Sequence, residues 1–73
     1  MQAVVYNLIM VTGHLFMGQY NSFGMCNDAI RAIYEKQYIP NPDLIPKSEI
    51  PRIQKSIDIA VKYQREYLCV GAQ

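Results

Sequence analysis

The chain has no tryptophan, one histidine, two cysteines and few charges, with Asp, Glu, Lys and Arg making up only 18% of its 73 residues. Each shortage excludes something. His14, with Cys26 and Cys69, offers three candidate metal ligands, but none of them share a CxxC or HxxxH spacing. No metal and no cofactor are expected. Two cysteines are too few for the disulfide framework of a secreted mini-protein, and Gln2–Ala3 does not read as a basic leader. The expectation is two reduced thiols in a cytoplasmic protein, with Cys26 an inert core thiol between Phe23 and Ile30.

Glycines in phosphate-loop array are also missing. Gly13, Gly18 and Gly24 are widely spaced and no Gly-Lys-Ser/Thr follows them. The six carboxylates each have a nearby base, or a capping or turn position, to explain them. None stands out as a general acid or base, so no enzyme is expected.

Charge of one sign is lacking too. Seven Lys/Arg against six Asp/Glu leave a net charge of +1, which gives no electrostatic reason to expect nucleic acid or an anionic membrane as partner. The apolar run from Ala3 to Gly18 is shorter than the roughly 20 residues of a membrane span. It also carries Asn7, Thr12 and His14.

What is present is apolar side chain, 51% of the sequence, in a chain long enough for one domain, residues 1–73, with a thin core. Little of its surface is committed to water by charge, and self-association is the simplest consequence.

The apolar spacing predicts an all-α fold. It reads as a helical hairpin, about 22–38 and 48–70, around a proline-rich connector, with an apolar N-terminal segment laid against it. In the first helix Phe23, Cys26, Ile30, Ile33, Tyr34 and Gln37 share a face, Ser22 or Asn21 can cap it, and Asp28, Arg31 and Glu35 lie opposite. Pro40, Pro42 and Pro46 stiffen the connector, on which Ile39, Leu44 and Ile45 are apolar. Ser48 is the expected cap of the last helix, with Pro51 tolerated in its first turn and Gly71 just past its end. Ile50, Ile53, Ile57, Ala60, Val61, Tyr67 and Leu68 form its broad stripe.

The N-terminal segment from Gln2 to about Phe16 reads as a helix with Val4, Leu8, Val11 and Leu15 on one face. A strand is the alternative, because Val4, Val5, Tyr6, Ile9, Val11 and Thr12 suit β structure and Gly13 could end it. A lone strand, however, would have to pair with another copy or with a target.

Three functional readings follow. The leading one is a small non-enzymatic interaction protein. It would be a cytoplasmic homodimer that inhibits or regulates a larger protein target, of a kind that viruses and mobile elements encode. Its candidate partner-binding residues are Ile59, Tyr63 and Val70, a narrow second seam on the last helix. The first alternative is an oligomer that sequesters a small, nucleotide-like ligand, with Tyr6, Asn7 and His14 as candidate ligand contacts. The second is a helical DNA-binding regulator. Its connector is too long for a helix-turn-helix, and Asp58 and Glu66 interrupt Lys55, Lys62 and Arg65.

Overall fold

A computed structural model of the chain describes residues 4–72. One of the expected helices is where the spacing puts it, one is shorter, and the N-terminal segment is a β-hairpin. The order is strand β1 (Val5–Met10), strand β2 (Leu15–Tyr20), helix α1 (Phe23–Tyr38), helix α2 (Ile50–Tyr63) and strand β3 (Tyr67–Ala72). The fold is therefore α+β, and the all-α expectation is corrected. Gln2 and Ala3, where the expected N-terminal helix begins, lie outside the described residues.

β1 is the centre of a three-stranded antiparallel sheet ordered β2-β1-β3. A four-residue turn, Val11–His14, joins β1 to β2. It takes positive φ at both Gly13 (83°) and His14 (52°), which glycine accepts freely and histidine tolerates. Opposite Leu8 and Ile9 the pairing passes from Gly18 to Phe16, leaving Met17 as a bulge in β2.

The expected last helix, about 48–70, stops at Tyr63. Gln64 turns left-handed (φ 48°, ψ 49°) and its N–H donates to the Ala60 carbonyl at 3.1 Å, so the chain reverses into β3. Tyr67 and Leu68, assigned to the helix stripe, are strand residues, and Gly71 lies within β3 rather than after a helix. Glu49 occupies the cap position expected for Ser48, without a side-chain hydrogen bond, and a proline sits in the first turn. α1 is capped as expected, with Ser22 Oγ accepting from the Met25 N–H at 3.1 Å.

Both helices lie on one side of the sheet. The core between the layers is Leu8 from β1, Cys26, Ile30 and Tyr34 from α1, Ile57 and Val61 from α2, and Tyr67 from β3. Cys26 and Cys69 are joined in a disulfide whose Cα atoms are 6.0 Å apart, tying α1 to β3 across 43 residues of sequence. The expectation of two reduced thiols is thus corrected. Helical packing and strand register bring together two cysteines that the sequence keeps far apart. On the solvent side Arg31 pairs with Asp58, linking α1 to α2, instead of with Asp28 or Glu35 on its own helix.

Candidate interaction surface

Alternation along the three strands separates two faces. Tyr6, Leu8 and Met10 of β1, Tyr20 of β2, and Tyr67 and Cys69 of β3 belong to the core or pack against it. The residues between them point the other way: Val5, Asn7 and Ile9 on β1, Phe16 and Gln19 on β2, and Leu68, Val70 and Ala72 on β3. None of these belongs to the core cluster. No helix among the described residues covers them, and Phe16 and Val70 are 58% and 42% exposed.

This outer face has no charged side chain. Its one polar element is an amide pair, with Gln19 Nε2 donating to Asn7 Oδ1 at 3.0 Å. Val70 lies opposite Asn7 on the other flank, and Phe16 and Leu68 flank Ile9. The result is an open apolar surface with a small polar notch, the kind of patch that soluble monomers keep small.

The free edges of the sheet are managed differently. The Cys69 N–H, turned away from β1, donates to Gln64 Oε1 at 3.2 Å, while Gln64 Nε2 donates to Asn27 Oδ1 at 2.8 Å. One glutamine thus fastens the end of α2 to α1 and blocks part of the β3 edge. The bulge at Met17 interrupts the opposite edge.

The expected seam is divided between two elements. Ile59 and Tyr63 stand exposed on α2, at 50% and 61%, with Lys62 and Arg65 each within 6 Å of the Tyr63 ring centre (5.9 and 5.7 Å). Val70 is on the outer face of the sheet. The candidate ligand contacts are divided as well. Tyr6 faces inward with its ring 5.6 Å from that of Phe23, Asn7 faces outward, and His14 sits in the hairpin turn. On the connector, Ile39 packs against the core, whereas Leu44 is exposed.

A groove of about 480 Å³ runs between the C-terminal half of α1 and the N-terminal half of α2. Tyr34, Tyr38, Ile53 and Ile57 form its walls, with Glu49 and Arg52 paired at its rim (3.6 Å). Tyr34 stacks on Tyr38 (6.0 Å) and meets Tyr67 edge-on (5.4 Å), and Gln37 Nε2 donates to the Tyr67 hydroxyl at 3.3 Å. Burial pushes the Tyr34 hydroxyl pKa up from 10.0, with the Glu66 carboxylate, Tyr67 and Tyr38 adding to the shift. Among the described residues no group of three or more His, Cys, Asp or Glu side chains converges on a metal position. No helix there is long and apolar enough to cross a membrane.

Comparison of the chain with protein-family models, with curated proteins and with solved structures finds no match.

The sequence reading missed the outer face, Gln64 and the disulfide. The signal for the face was present in Val5, Asn7 and Ile9 alternating with Tyr6, Leu8 and Met10. Because both sets are largely apolar, the alternation carries little contrast.

Proposed function

We propose that the protein is a small non-enzymatic interaction module that binds another protein surface through the uncovered face of its sheet. The observation that carries this reading is the outer face itself: half-buried Val5, Ile9 and Leu68 beside exposed Phe16 and Val70, uncharged and outside the core cluster. A large apolar patch on so small a chain costs solubility unless it is used. Action on a larger protein, as an inhibitor or regulator, is the form this binding takes in the reading.

The disulfide bears on where it works. Cysteine pairs persist in oxidising compartments and are reduced in the cytoplasm, so the Cys26–Cys69 bond favours an oxidising compartment over the cytoplasm. Thiol labelling of denatured, unreduced protein from its native cell should find no reactive cysteine. Two reactive cysteines per chain would return it to the cytoplasm.

The test of the binding surface compares wild type with Ile9→Lys as affinity baits in the native cell, under cross-linking. A protein held by the wild type should be lost from the variant. Retention of every bound protein by Ile9→Lys would overturn the reading.

A further inference from the structure

We propose that the Lys47–Ser48 peptide bond is a processing site for an endoprotease that cuts after lysine. The cut chain persists as two segments, 1–47 and 48–73, joined by the Cys26–Cys69 disulfide. The step is a hydrolysis and needs no co-reactant but water. The C–N bond breaks, the water oxygen makes the Lys47 carbonyl a carboxylate, and both water protons end on the Ser48 nitrogen as an ammonium.

The first observation is access. Residues 40–44 and 46–49 of the connector between α1 and α2 are exposed, Leu44 at 79%. A protease draws several residues of chain into its cleft, so it cuts where little structure has to open. One backbone hydrogen bond spans the Lys47–Ser48 bond, from the Glu49 N–H to the Pro46 carbonyl at 2.9 Å. Pro40 and Pro42 keep the connector from continuing α1, and the residue after Lys47 is a serine, free of the restraint that a proline would impose there.

The second observation is selectivity. The other six basic residues are held in regular structure or against it. Arg31 and Lys36 lie in α1, and Arg52, Lys55 and Lys62 lie in α2. Arg65 is in the short turn before β3, but the Glu66 carbonyl accepts the Val11 N–H at 2.8 Å. Drawing that turn into a protease would strip the start of β3 from β1. Lys47 is therefore the basic residue that can be reached at the least structural cost.

The third observation is what remains joined. Nearly every tie that closes the fold crosses this bond. The disulfide runs from Cys26 to Cys69, and the six register pairs of β1 with β3 lie on opposite sides of the cut. So do Arg31 and Asp58, Asn27 and Gln64, and Gln37 and Tyr67. In the core, Leu8, Ile30 and Tyr34 belong to one segment, and Ile57, Val61 and Tyr67 to the other. Cleavage leaves this arrangement in place and changes what reduction does. In the uncut chain, reducing the disulfide leaves one molecule. In the cut chain it leaves two segments with no covalent link, so release of α2 and β3 takes both cleavage and reduction. The outer face draws on strands of both segments, so it survives the cut and is dismantled only by that release.

The test is the mass of the protein recovered from its native cell without reduction. It should exceed that of the uncut oxidised chain by one water. On reduction it should resolve into 1–47 and 48–73. Recovery of an uncut chain overturns the proposal, and so does a cut at any other bond. The structural premise is checked with trypsin at a low ratio to the purified oxidised chain. The first cut should fall after Lys47, and the product should keep its native circular dichroism until it is reduced. Lys47→Gln should slow the first cut at least about tenfold, because cleavage then depends on opening a helix or the β1–β3 junction. A first cut elsewhere in the wild type, an unchanged rate in Lys47→Gln, or unfolding on cleavage without reduction would each overturn it. The interaction surface stands or falls separately, on the Ile9→Lys bait.

Discussion

The two faces of this sheet come from the same eighteen-residue set of strands, are both apolar, and end in opposite surroundings. On one, Leu8 and Tyr67 are sealed beneath α1 and α2, and the disulfide fastens Cys69 to the helix above it. On the other, Val5, Ile9 and Leu68 are half-buried and Phe16 and Val70 exposed, outside the core cluster. Hydrophobicity does not distinguish them. What does is reach, since both α-helices of the described chain contribute to the core on the same side of the strands. In a domain this small, an apolar position therefore marks either the core or an interface, and only the topology decides which.

The largest test of this contrast is the covalent bond on the covered side. Closing 43 residues of chain lowers the entropy of the unfolded state by an amount equivalent to about 4 kcal/mol on the loop-closure relation. Chains of this length have a total stability of about 4–11 kcal/mol, at roughly 0.05–0.15 kcal/mol per residue. Reduction, or the double substitution Cys26→Ala/Cys69→Ala, should therefore remove a large part of the stability, read as a shift of the urea midpoint. An unchanged midpoint would mean that the covered face holds without its fastening.

Leu8→Ala and Ile9→Ala compare the faces directly, one residue apart on the central strand. Leu8 is 2% exposed and its truncation should cost about 2–5 kcal/mol, as for other buried leucines. Ile9→Ala should cost under about 1 kcal/mol in dilute protein, as substitutions away from the core do. Its deficit should instead appear in binding to the partner protein, because it falls on the interface rather than on the fold of one chain. Equal losses of stability for the two would erase the distinction between the faces.

Gln64 lies at the boundary between the two regions, and its effect should be smaller. Gln64→Ala removes the bond to Asn27 and leaves the Cys69 N–H unpaired, at a cost of about 1–2 kcal/mol. Gln64→Gly loses the same bonds but relieves the left-handed backbone, so its urea midpoint should lie above that of the alanine variant. If the two midpoints coincide, the backbone conformation contributes nothing and only the side chain matters.

These residues also explain which parts of the fold were legible in the sequence. α1 could be read from end to end because its apolar residues recur with helical spacing, its charges lie opposite, and Ser22 and the prolines bracket it. β1 could not, because strand recognition depends on contrast between faces and here both faces are apolar. A strand at the N-terminus looks partnerless in the sequence, yet β1 pairs with both β2 and β3. β2 was hidden by its bulge and by the glycine at position 18. β3 was hidden because Tyr67 and Leu68 continue the period of α2 without a break. The residue that ends α2 is a glutamine in a conformation that glycine or asparagine usually adopts. The Ile59–Tyr63–Val70 seam followed from that overextended helix. Its first two members share a helix face, and its third belongs to the face now proposed as the interface. The disulfide was illegible for a simpler reason, since spacing does not reveal which distant cysteines a fold brings together.

The smallest expected effect concerns pH, and it separates the faces by chemistry. The outer face has no titratable side chain, whereas the helix side holds Tyr34, whose pKa is raised above 10.0 by burial first, then by the Glu66 carboxylate, Tyr67 and Tyr38. A raised value means that the folded chain keeps the phenolic proton at a pH where the unfolded chain has begun to release it. The unfolded state then binds fewer protons, so stability falls as pH rises. The contribution is fully present below pH 10.0 and is lost as the pH climbs from there through the folded-state value. Tyr34→Phe removes this titration while keeping the ring against Tyr38 and Tyr67. Urea midpoints on either side of pH 10.0 should therefore drop further for the wild type than for Tyr34→Phe. At protein concentrations where the folded chain persists, association through the uncharged face should not change in step with that drop. A parallel loss of association would mean that the two faces are coupled through the core rather than independent.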